Sequence, residues 1–206
     1  MAFLRKTFTT FFYWTVYYLT RFFFAVRIPY KIIGLENIPP RGGFILASNH
    51  LSNLDPPFIG SHIHRRLSFL AKESLFRHRV LGFVLNQLGT VPIRRGSSDF
   101  RALREVIRRL KGGCPLVMFP EGSRESVRRA ANHGDKVFSG IGFLAAKSGV
   151  PVIPVKIAGS DKALPVHAKW PTRYPVTLTI GQPRVYDDRE LYPQISYQIM
   201  DAIASL

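Results

Sequence analysis

From residue 44 onward, short apolar runs alternate with stretches whose apolar positions recur at helical spacing. The runs Phe44 to Ala47, Leu67 to Ala71, Thr90 to Ile93, Leu116 to Phe119, Val152 to Ile157 and Val176 to Ile180 have the length and composition of strands. Between them, helices are predicted over Pro56 to His64, Val80 to Leu88, Ser98 to Lys111, Val137 to Ser148 and Arg189 to Ser205. The alternation predicts an α/β domain with a mostly parallel central sheet flanked by helices. The stripe is plainest at Phe100, Leu103, Ile107 and Leu110, with Arg101, Arg104, Arg108, Arg109 and Lys111 opposite. A solvated basic face over a buried stripe is the simplest reading, and attraction to anionic lipid is the functional one.

The N-terminal segment has another pattern. Ten aromatic residues lie between Phe8 and Phe24, and Arg5, Lys6, Arg21, Arg27 and Lys31 accompany them with no acid before residue 36. Tyr and Trp flanked by basic residues favour the boundary between acyl chains and headgroups. The uncharged run from Thr7 to Thr20 has 14 residues, about 21 Å as a helix against a hydrocarbon core of roughly 30 Å. The expectation is an in-plane or half-immersed helix on the cytoplasmic face of a membrane. A span reaching Val26 with Arg21 snorkelling is the alternative. No small-residue cleavage site follows, which argues against a signal peptide. Residues 1–30 are therefore taken as a membrane-associating helical segment, and 31–206 as a catalytic domain.

Composition narrows the partners. The 206 residues suit one domain, and the single cysteine, Cys114, excludes an intrachain disulfide and a cysteine-based metal site, leaving a small buried residue as its expected role. A formal charge of +16, from 29 Lys plus Arg against 13 Asp plus Glu, calls for an anionic partner. Zinc-ligand spacing and aromatic-glycine RNA-binding motifs are absent, which turns the expectation from nucleic acid toward an anionic membrane surface or a phosphorylated substrate.

The chemistry begins at Asn49-His50-Leu51-Ser52-Asn53-Leu54-Asp55. Five residues along a helix turn about 500°, leaving side chains roughly 140° apart, so His50 and Asp55 meet only across a turn or loop. Pro56 and Pro57 fit the first turn of a helix with Asp55 as its N-cap. Two more polar clusters follow predicted strands: Arg94 and Arg95, then Glu121-Gly122-Ser123-Arg124. Ligands of open α/β sheets bind beyond the carboxyl ends of strands, so all three point to one crevice. Paired guanidinium groups there suit phosphate. No Gly-x-Ser-x-Gly elbow supplies a nucleophilic serine, so the hydroxyl activated by a His50–Asp55 pair would belong to the substrate.

Three other patterns carry less. Gly140-Ile141-Gly142-Phe143-Leu144-Ala145 imitates a dinucleotide fingerprint, but no clean strand enters it; Ala146-Lys147-Ser148 lacks the glycine of a phosphate loop. His62 and His64, without a third ligand nearby in sequence, read as surface histidines, and no metal or cofactor is expected.

Asn49-His50-x-Ser52-x-x-Asp55, Gly89-Thr90-Val91-Pro92-Ile93-Arg94-Arg95, Phe119-Pro120-Glu121-Gly122-Ser123-Arg124 and Val150-Pro151-Val152-Ile153-Pro154-Val155 together resemble the four ordered blocks of the PlsC-type glycerolipid acyltransferases. The resemblance implies transfer of a fatty acyl group from acyl-CoA or acyl carrier protein to the free hydroxyl of lysophosphatidate, giving phosphatidate. It implies His50 as general base, Asp55 as its partner, and Arg95 as the acceptor-phosphate ligand with Arg94 assisting. Glu121, Gly122 and Arg124 would hold the glycerol phosphate, and Lys136 is a further candidate for a phosphate contact. Glu125 and Arg94 depart from residues common in the family, which bears on the phosphate pocket. The same chemistry on glycerol 3-phosphate or another lysophospholipid stays open, as does a non-enzymatic basic membrane adaptor.

Overall fold

A computed structural model describes residues 2–94, 99–121, 140–187 and 191–206, with side chains from residue 7 onward. Among these residues seven strands form one sheet in the order β1-β7-β6-β2-β5-β3-β4. They are β1 Tyr30–Ile33, β2 Ile45–Ser48, β3 Ser68–Lys72, β4 Val91–Ile93, β5 Leu116–Met118, β6 Val152–Ala158 and β7 Val176–Ile180. The helices are α1 Ala2–Arg27, α2 Asp55–His62, α3 Arg79–Gln87, α4 Phe100–Lys111, α5 Gly140–Ser148, α6 Ser160–Ala163 and α7 Tyr192–Ala204.

The sheet is mostly parallel, as expected, and mixed through one pairing. Neighbours pair in parallel except β6 and β7, which run antiparallel from Val155↔Ile180 to Ala158↔Thr177. A parallel return needs a crossover long enough to carry the chain to the opposite edge. Residues 159–175 provide only the short α6 and a loop folded back on it, where Thr172 N–H donates to the Ala163 carbonyl at 2.7 Å, so β7 starts where β6 stops. Strand β1 escaped the sequence pattern, being four residues long at the sheet edge and paired to β7, with Tyr30 opposite Val176.

Alternation along β2 divides the core into two layers. Phe44 and Leu46 pack with Phe24 of α1, with Ile28 just past its end, with Phe58 and Ile59 of α2, and with Ala163. Ile45 and Ala47 point the other way, toward Val106 and Leu110 of α4, Ile141 and Leu144 of α5, and Ile199 of α7. The buried stripe of α4 is Ala102, Val106 and Leu110, while Phe100, expected in the stripe, is exposed. The helix begins after Asp99, whose carboxylate caps it by accepting the Ala102 N–H. Glu105 pairs with both Arg108 and Arg109, which hold its carboxyl down at about 2. Cys114 is half-buried, and burial pushes its thiol up.

Helix α1 lies along this body. Tyr13, Tyr17, Phe24 and Ile28 are buried, whereas Phe8, Phe11, Tyr18, Leu19, Phe22 and Val26 face outward. The Tyr13 hydroxyl donates to the Arg65 carbonyl at 3.1 Å and accepts the Leu67 N–H at 2.9 Å. Among the described residues no helix is long and apolar enough to cross a membrane, and one face of α1 is committed to packing on α2.

Candidate active site

The site is built where β2 stops. Beyond Ser48 the chain leaves the sheet, and the Asn49 side chain replaces the broken ladder. Its Nδ2 donates to the Ile157 carbonyl at 2.9 Å and its Oδ1 accepts the Ile157 N–H at 2.8 Å, tying the segment to the end of β6. His50 follows on a tight turn that closes with Asp55 N–H donating to the Ser52 carbonyl at 3.1 Å.

Asp55 is fully buried, and one of its oxygens is heavily used. Oδ2 accepts the N–H of Leu51 and of Ser52, each at 2.7 Å, and lies 2.8 Å from His50 Nδ1. The expected N-cap role is corrected here: Leu54 is the N-cap of α2, Asp55 is its first residue, and the carboxylate bends back toward the preceding turn. Its geometry follows from the prolines. Pro56 and Pro57 have no N–H to offer an N-cap acceptor, and the free donors lie in residues 51 and 52. With Oδ2 as acceptor, Nδ1 donates its N–H to it, which leaves the lone pair on Nε2. The second oxygen, Oδ1, is buried with no hydrogen-bond partner among the described residues.

The imidazole is 15% exposed and stacks on the Phe119 ring, with centroids 4.3 Å apart and planes 26° from parallel. Glu121 Oε2 accepts the His50 main-chain N–H at 3.3 Å. Burial pushes the Glu121 carboxyl up, a tendency countered by that N–H and by the His50 side chain. Strand order explains the meeting: β2 and β5 are neighbours, so residues just past their ends share one edge. Ser52 links the turn to the next segment, donating from Oγ to the Leu164 carbonyl at 3.1 Å.

His50, Asp55 and Glu121 thus come together as the sequence pattern suggested. Arg94 sits apart. It follows β4, three strand positions from β2 and about 14 Å away at ~4.8 Å per position. Its guanidinium clasps Glu73 through Nε at 2.9 Å and through a second nitrogen at 3.2 Å, which raises the Arg94 pKa and lowers that of Glu73. Arg95, Gly122, Arg124 and Lys136 lie outside the described residues.

Asn49 and Phe119 are the contributors that residue patterns passed over. Asn49 stood in the motif without a task, and Phe119 read as the last residue of an apolar strand; its place directly after β5, beside Pro120 and Glu121, was the available signal. His62 is a second correction. It is buried rather than on the surface, its Nδ1 lies 2.8 Å from the Phe58 carbonyl, and the rings of Tyr30, Phe58 and Phe24 enclose it. His64 is exposed and packs on Trp14. Gly142, part of the imitation dinucleotide motif, is a helix-crossing residue. A Cβ there would stand 2.0 Å from the Tyr192 carbonyl, so α5 and α7 touch backbone to backbone.

Comparison with known proteins places the chain in a family. The model of a family described as Acyltransferase matches residues 29–158. A chloroplastic 1-acyl-sn-glycerol-3-phosphate acyltransferase of Brassica napus is 32% identical over 137 residues, 65% of this chain and 38% of its own. A lyso-ornithine lipid O-acyltransferase of Pseudomonas aeruginosa is 31% identical over 154 residues, 71% of this chain and 56% of its own. The crystal structure of the 1-acyl-sn-glycerophosphate acyltransferase PlsC from Thermotoga maritima superposes with a TM-score of 0.68 at 27% identity, covering 98% of this chain and 81% of that one. This chain spans less than half the length of the plant relatives it matches.

Proposed function

This chain belongs to the acyltransferase family, and we propose that it moves a fatty acyl group from an acyl thioester to the free hydroxyl of 1-acyl-glycerol 3-phosphate, giving phosphatidate. The observation carrying this reading is the 2.8 Å contact of His50 Nδ1 with the buried, doubly anchored Asp55. With Nδ1 occupied, Nε2 accepts the hydroxyl proton as the lipid oxygen attacks the thioester carbonyl carbon. Asp55 stabilises the imidazolium, which returns its proton to the departing thiolate when the carbon–sulfur bond breaks. A positioned base of this kind contributes about 10²- to 10⁴-fold, and no acyl-enzyme forms.

Arg95, Gly122 and Arg124 are assigned to the acceptor phosphate and glycerol, with Lys136 as a further contact. Glu121, which accepts the His50 main-chain N–H, is assigned with Gly122 and Arg124 to the glycerol phosphate. The acyl donor is acyl-CoA or an acylated carrier protein. The outward aromatic face of α1 rests in an anionic membrane surface on the cytoplasmic side, with residues 31–206 as the catalytic body. A second reading keeps the chemistry and changes the acceptor to another lysolipid, and the retention of Arg94 by Glu73 favours it, since a guanidinium so engaged leaves fewer charges for phosphate.

Thiol release by the purified chain, measured with acyl-CoA or acyl carrier protein and a panel of acceptors, tests both. Lysophosphatidate is expected to be used, and His50→Ala to lose about a hundredfold or more in turnover. A fully active His50→Ala variant overturns the mechanism. Preference for an acceptor without phosphate transfers the assignment to the second reading.

A further inference from the structure

The loop of residues 165–174 presents large apolar side chains to solvent. Trp170 is 74% exposed and Val166 67%, and His167, Lys169 and Arg173 stand exposed around them. An exposed indole is common on a loop with no structure of its own, but this loop is stapled. Ala168 N–H donates to the Pro165 carbonyl, Thr172 N–H to the Ala163 carbonyl and Tyr174 N–H to the Thr172 carbonyl. Lys162 Nζ donates to the Tyr174 hydroxyl at 3.2 Å, and Pro171, next to Trp170, is buried. The backbone is held on both sides of a large apolar ring that faces solvent.

Its attachments place it. At one end Ser52 of the His50–Asp55 turn donates to the Leu164 carbonyl at 3.1 Å. At the other, Val176 N–H donates to the carbonyl of Pro29, just past the end of α1. Ala163 and Leu164 belong to the same apolar layer as Phe24 of α1 and Ile28 just beyond it. The loop therefore bridges the base-bearing turn and the helix whose outer face carries Phe11, Phe22 and Val26, on one side of the sheet. An indole with neighbouring Lys and Arg is the side-chain set that settles at the headgroup boundary of an anionic bilayer.

We propose that residues 165–174 form a second bilayer contact, in which Trp170 enters the headgroup boundary while Lys169 and Arg173 bind anionic headgroups. Contact at α1 and at this loop holds the His50 edge against the lipid surface, so an acceptor lysolipid reaches the base without leaving the membrane. The inference rests on the reading of the chain as an enzyme of lysolipids, but it concerns a surface that α1 does not include.

The chain has two tryptophans, so Trp14→Phe leaves Trp170 as a sole reporter, and Trp14 lies against His64 away from the catalytic turn. The probe is a vesicle of phosphatidylcholine and phosphatidylglycerol, with and without bromine on the upper acyl carbons. Trp170 emission is expected to shift to the blue and to be quenched by the brominated lipid. Lys169→Gln with Arg173→Gln should weaken vesicle binding by about 30-fold at low salt, at roughly one headgroup interaction per residue. Sedimentation with vesicles while Trp170 emission stays unchanged overturns the loop contact and leaves the α1 surface intact. Failure to sediment at all removes both.

Discussion

The Asn49 side chain pairs with both main-chain polar atoms of Ile157, doing for one residue what a continuing β2–β6 ladder would have done. This places the residue before the base under control of β6. Asn49→Asp retains the acceptor for the Ile157 N–H but sets a carboxylate against the Ile157 carbonyl. The expected result is a fall in kcat of more than about tenfold with a smaller change in acceptor KM, since His50 is displaced rather than removed. Steady-state kinetics with lysophosphatidate check it. An unaltered kcat would remove Asn49 from the positioning of the base.

The two arginines after β4 should separate. Arg94 is bound bidentately to Glu73 on an exposed surface, whereas Arg95 is the residue proposed for the acceptor phosphate. Arg95→Ala is expected to raise acceptor KM by tenfold or more, at about 1.5 to 3 kcal/mol for a charge-assisted hydrogen bond. Arg94→Ala should change it less than threefold. Acceptor titrations at saturating donor distinguish the two.

Much of this was legible beforehand because local chemistry agreed with the final fold. Strand β7 was readable to the residue at Val176 and Ile180, and β2 to β6 lay within a residue or two of their pattern. Tyr30–Ile33 was not readable, since a four-residue strand gains its stability from a partner far along the chain and has too few positions for a period. The antiparallel turn of β7 was hidden for a related reason: residues 159–175 carry no periodic signal, and contacts such as the Thr172–Ala163 hydrogen bond keep them at one edge. At the site, spacing alone brought His50 to Asp55. The Asn49 clamp depends on β6 lying beside β2, a neighbourhood no local pattern encodes.

Tyr13 is the test of how α1 is held. Tyr13→Phe deletes the acceptor for the Leu67 N–H and the donor to the Arg65 carbonyl, at a cost of about 1 to 3 kcal/mol for a buried unsatisfied group. Burial, opposed by the Leu67 N–H and Arg66, pushes the phenol up from 10.0 to about 12. The folded state keeps its proton longer than the unfolded chain. The associated stability is intact below pH 10 and is lost as pH rises from 10 toward 12. Denaturant melts across that window should fall for the native chain and fall less for Tyr13→Phe.

His62 gives the opposite slope. Burial lowers its pKa below 6.5, with Arg21 acting in the same direction and the Phe58 carbonyl against it. Below pH 6.5 the unfolded chain gains a proton that the folded one resists, so stability is present above that value and declines as pH falls. His62→Phe, placed among Tyr30, Phe58 and Phe24, should flatten this acid-side decline whatever it does to the absolute Tm. Thermal melts at several values between pH 7.5 and 5 measure it; an unchanged slope would assign the decline to other groups.

The pairing of Tyr30 with Val176 also sets a timetable. At about 5 to 20 residues per second, the ribosome needs on the order of 7 to 30 s to deliver the second partner after the first. Throughout that interval α1 is complete while the sheet it borders is open at that edge. The outer aromatic face of α1 is thus translated long before Ile157, the residue that fixes Asn49 and with it the catalytic turn.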